Sequence, residues 1–72
     1  MLLRKLEPMK VSYDSRHDLL YLELDDTAKT VRNEDLSDSI VLDVDENGRV
    51  AGVEILGASQ LVNLARLLPV EY

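Results

Sequence analysis

The chain has 72 residues, 46% of them hydrophobic and only three aromatic, all tyrosines, so it makes one small domain with an aliphatic core. It contains no cysteine and one histidine, His17, which excludes disulfides, thiolate metal sites and a zinc site built on histidines. Fourteen acidic and eight basic residues give a net charge of −6. That balance opposes nucleic-acid binding, which draws on Lys and Arg to neutralise phosphates.

No apolar run approaches the ~20 residues of a membrane span, and residues 1–6 are too short and too charged for the apolar centre of a signal peptide. The expectation is a cytoplasmic protein with no membrane or nucleic-acid partner. Its partner is expected to be a second copy in a homodimer, or another small protein, because so short a chain gains from burying a further face.

Residues 1–8 read as an N-terminal extension, with Leu2, Leu3 and Leu6 on one stripe and Pro8 ending any helix. Residues 9–72 read as the single domain. Residues 10–13 form a short strand with Val11 and Tyr13 on one face. Residues 14–18 are a polar turn in which Asp14 and Asp18 can accept from nearby backbone amides. Residues 19–24 return as the second strand, with Leu20, Leu22 and Leu24 on the apolar face and Leu19, Tyr21 and Glu23 opposite. After a loop, residues 29–33 alternate weakly around Val31 as an edge strand whose charges discourage aggregation. Leu36 is expected to anchor the connection that follows.

Asn47-Gly48 lies between two alternating apolar runs, residues 39–44 and 50–56. The dipeptide predicts a hairpin on a type I′ turn, whose two central residues both need positive φ. Counting outward puts Glu46 opposite Arg49, Asp45 opposite Val50, Val44 opposite Ala51, Leu42 opposite Val53 and Ile40 opposite Ile55. Ile40, Leu42 and Val44 then share one face with Ala51, Val53 and Ile55. The other face carries Val41, Asp43, Asp45, Val50, Gly52 and Glu54 and is largely acidic. Gly57 ends the last strand and Ser59 suits a helix N-cap. Leu61, Leu64, Ala65 and Leu68 then recur at helical spacing before Pro69, with Val62 and Leu67 off that stripe. The pattern predicts an α+β fold: an antiparallel, meander-like sheet of four to five strands with one C-terminal helix packed on its apolar face.

Asp43-x-Asp45-x-Asn47-Gly48-x5-Glu54 matches the calcium loop of an EF-hand at its ligand positions. That loop needs flanking helices, and the flanks here have the period of strands. Asp43, Asp45 and Glu54 remain weak candidates for a surface cation site, since carboxylate oxygens suit hard divalent cations. His17 sits in a tight turn with little concavity, and the scattered serines lack a nucleophile's setting. No catalytic residue and no cofactor is expected. Tyr21, with Asp43 and Glu54, can serve an exposed recognition face, and Arg49 can pair with Glu46 across the turn.

The residues Tyr13-Asp14, Asp18-x-Leu20-Tyr21-Leu22-x-Leu24 and Ile40-x-Leu42-Asp43-x-Asp45-x-x-Gly48-Arg49-Val50-x-Gly52-x-Glu54-Ile55-Leu56-x-Ala58-Ser59 resemble the bacterial and archaeal family known as domain of unknown function 2283. The likeness covers about residues 10–61. It implies a small prokaryotic protein without an assigned activity. Some family members are encoded beside small candidate toxins, which implies an antitoxin-like role. The chain lacks a basic arm or helix for binding an operator, so only the toxin-binding half of that analogy carries over. The expected function is a non-enzymatic protein-interaction module, an antitoxin-like binder of a small basic toxin, with Asp43, Glu54, Tyr21 and Arg49 on its interaction surface. The alternative is a ligand- or divalent-cation-binding protein that uses the acidic strand face.

Overall fold

Short alternating segments separated by Asp-, Asn- and Gly-rich turns give five strands. These are β1 (Lys10–Asp14), β2 (Leu19–Glu23), β3 (Thr30–Asp35), β4 (Ile40–Asp45) and β5 (Val50–Leu56), followed by the helical turns α1 (Ala58–Leu61) and α2 (Leu64–Leu67). The computed structural model describes residues 9–67. The expected extension of residues 1–8, and Leu68 and Pro69 of the expected helix, lie outside the described residues.

The five strands form one antiparallel sheet in the order β1-β2-β5-β4-β3, so the α+β expectation holds. β1–β2 is a hairpin and β3–β4–β5 a meander, and the last strand joins the two units by pairing with β2. The connection between β2 and β3 must therefore cross one end of the sheet. Glu23 pairs with Gly52 and Thr30 with Asp45, which places the crossing beside the β4–β5 turn. It is held there by the amides of Leu24 and Asp25, which both donate to the Ala51 carbonyl at 2.8 and 3.1 Å.

Ala51 can serve two amides because it is an extra residue in β5. Ile40 faces Ile55 and Leu42 faces Val53 as counted, but Val44 faces Val50 rather than Ala51, which is the bulged residue. The turn also differs from type I′. Gly48 has φ 81°, whereas Asn47 keeps a negative φ. The Gly48 amide donates to the Asp45 carbonyl at 3.0 Å, and the Asp45 amide to the Arg49 carbonyl at 2.9 Å. This is a three-residue loop, a type I turn closed by a left-handed glycine. The Asp45 carboxylate selects it, because Oδ1 accepts from the Asn47 and Arg49 amides at 2.8 and 2.9 Å.

The third strand is longer than residues 29–33 and carries a bulge at Val31, while Leu36 is 65% exposed and anchors nothing. The expected single helix is broken where Val62 turns extended (φ −133°, ψ 156°). Val62 and Leu64 pack instead on Leu20 and Ala58, both fully buried, together with Val11, Tyr13, Leu22 and Ile55. Among the described residues this core cluster is one-sided: the helical turns cover the β1–β2–β5 part of one face. With a radius of gyration of 13.2 Å, against about 11 Å for a compact chain of this length, the molecule is a slab with a thin core.

Candidate functional site

The opposite face carries a bonded polar cluster. Tyr21 on β2 stands opposite Glu54 on β5, which stands opposite Val41 on β4; one row along, Gly52, Asp43 and Asn33 face one another across β5, β4 and β3. Strand alternation therefore brings Tyr21, Asn33, Asp43 and Glu54 to one side of the sheet. Asp43 is 6% exposed and lies at the centre of the group. Its Oδ2 accepts from the Tyr21 hydroxyl at 2.9 Å and its Oδ1 from the Asn33 amide nitrogen at 2.5 Å.

The side-chain hydrogen bond to Asp43 pushes the Glu54 carboxyl above the usual carboxylate range, with burial and the Asp43 charge acting in the same direction. Burial chiefly, and then donation to Asp43, push the Tyr21 hydroxyl up to about 12, so it stays a donor at any physiological pH. Gly52 makes room for this arrangement. A Cβ there would lie 2.8 Å from Tyr21 Cζ and closer still to its hydroxyl, so any larger residue would displace the ring.

A second constellation ties the β1–β2 turn to α1. Asp18, at φ 51°, accepts from the Tyr13 hydroxyl at 2.7 Å, from the Ser59 amide at 2.9 Å and from the Ser59 hydroxyl at 2.7 Å. Its carbonyl accepts from the Ala58 amide at 3.0 Å. Ser59 is therefore not the N-cap that its position in the sequence suggests. The cap position is Gly57, which has no side chain to offer, and Asp18 supplies the carboxylate from another hairpin. The donation from Tyr13 and then from Ser59 holds the Asp18 carboxyl below its ordinary range.

The remaining candidates fall elsewhere. Asp45 caps its own turn, and among the described residues no group of three or more His, Cys, Asp or Glu side chains is arranged to hold a metal ion. Arg49 closes that turn with its backbone, and its guanidinium forms no ion pair with Glu46; its charge acts instead on Asp25. His17 Nδ1 lies 2.7 Å from Asp14 Oδ2 in an exposed turn. Asn33 was not foreseen as a cluster member. The offset of β3 against β4 that delivers it depends on the bulge at Val31, which the weak alternation there does not encode.

Sheet order, one-sided core and acidic network together define a small single-sheet α+β protein with a polar face opposite its helical turns. The chain belongs to the family described as "Protein of unknown function (DUF2283)", whose model matches residues 10–59 and so spans both constellations. It is similar to "Uncharacterized protein MJ0789" of Methanocaldococcus jannaschii, with 46% identity over 56 residues covering 78% of this chain and 47% of that protein. The chain thus spans about half the length of the curated relative it matches. No solved structure matches it. No helix among the described residues is long and apolar enough to cross a membrane.

Proposed function

We propose that the chain works by binding rather than catalysis, as an antitoxin-like module that presents its acidic sheet face to a small basic protein. The observation that carries this reading is the Tyr21–Asp43–Asn33–Glu54 network on the face opposite the helical turns. Alternation adds Asp14, Glu23 and Asp35 to that face, against Lys10. A rigid, like-signed patch of this kind speeds encounter with a basic partner and fixes its orientation.

The carboxylates that a cation would need are already engaged, Asp43 by two donors and Asp45 by its turn, so the geometry favours the protein partner over the cation. The test is capture of the tagged chain from its host at low salt. One basic protein is expected in stoichiometric amount, released by salt and lost with the Glu23→Lys/Glu54→Lys variant. A complex indifferent to salt or to that variant would sink the reading.

A further inference from the structure

We infer that β3 is a homodimerisation edge: two copies pair β3 against β3 about a twofold axis at Asn33, joining their sheets into one of ten strands. All six residues of β3 are exposed, and among the described residues no strand pairs with its outer edge. Which backbone groups point outward follows from the inner ladder. The Leu36 amide donates to Ile40, and the Leu56 amide donates to Ser39. In antiparallel pairing these assignments alternate, so Arg32, Glu34 and Leu36 turn their amides and carbonyls toward β4. Asn33 and Asp35 turn theirs out. The bulge lies at Val31, and Arg32–Asp35 is regular.

Charges on an edge strand ordinarily discourage association. Here their spacing does the reverse. Pairing Asn33 with Asn33 of a second copy lets the outward groups bond reciprocally, and it sets Arg32 of each chain opposite Glu34 of the other. These fall at non-hydrogen-bonded positions, where side chains approach most closely. The Arg32–Glu34 ion pair within each strand, 2.6 Å long, becomes part of a ring of four alternating charges. A register displaced by one residue from each strand would put Arg32 against Arg32 or Glu34 against Glu34. At the other edge, β1 could set Lys10 against Asp14, but Asp14 is committed to its turn, accepting from the Arg16 and His17 amides and lying against the His17 ring. A second copy therefore fits β3 and not β1.

The test is light scattering of the whole chain over a wide concentration range, with circular dichroism to confirm that each variant keeps its sheet. The wild type is expected to rise from the 8.1 kDa of one chain to twice that mass. Arg32→Glu and Glu34→Arg alone should each weaken association about tenfold or more, and the double variant, with the charges exchanged, should restore it. In the concentrated wild type the Asn33 amide should exchange with solvent slowly, and on dilution fast. A wild type that stays at 8.1 kDa throughout, a dimer that survives Arg32→Glu, or folded singles that the double exchange fails to rescue would each overturn the proposal.

Discussion

Glu54 and Asp43 place two carboxyls in contact on the sheet face opposite the helical turns, where Asp43 is buried. Because the folded chain holds the Glu54 carboxyl above its ordinary range, its contribution to stability is complete below about pH 4, where it is protonated folded or unfolded. The contribution is lost as pH rises through the raised folded value. Glu54→Gln keeps a donor toward Asp43 and removes that loss. At neutral pH the variant should be the more stable, by up to about 1 kcal/mol after solvent screening, and the gain should vanish on acidification. Thermal melts of both proteins across that range check it; a destabilised variant at neutral pH would contradict the assigned contact. Asp43, Glu54 and Tyr21 were legible in the sequence because strand alternation alone assigns their faces. The role of Asp45 was hidden, since the Asn47-Gly48 dipeptide predicts a tighter turn than the one its carboxylate stabilises.

At the scale of elements, the link between the β1–β2 turn and α1 decides how the C-terminal part is held. Asp18→Asn isolates the charge, because Asn tolerates the same left-handed backbone and keeps an acceptor for Tyr13 and Ser59. The depressed carboxyl contributes stability above about pH 4 that is lost as pH falls through its folded value. The melting temperature of Asp18→Asn should therefore lie below wild type at neutral pH and converge with it in acid. Parallel curves would show that the charge does nothing. The five strands were readable from period-two patterning. The break at Val62 was not: the stripe of Leu61, Leu64 and Ala65 runs straight through it, and it is packing of Val62 and Leu64 against Leu20 that overrides the helical pattern. Ser59 misled for a related reason, as its cap comes from residue 18 and no local window contains both.

For the whole molecule, the hairpins were legible and the strand order was not. Turns are local and announce themselves in Gly, Asn and Asp, whereas the pairing of β2 with β5 joins Leu19 to Leu56 and depends on the crossing connection. That pairing makes β5 the strand on which both halves rest, flanked by β2 on one side and β4 on the other. A chain ended after Asn47 keeps four of the five strands in sequence but has no strand to join its two hairpins. Such a fragment should show a random-coil amide spectrum, and a dispersed native-like one would refute the central role given to β5.

The same placement has a consequence for how the chain comes off the ribosome. Strands are synthesised from β1 onward, and the one that closes the sheet is the last of the five. Until it emerges, the β1–β2 hairpin and the β3–β4 pair each offer an inner edge that no other described strand covers. The sheet is thus closed by a single late insertion rather than built up strand by strand. An aggregation-sensitive interval therefore falls just before β5 arrives.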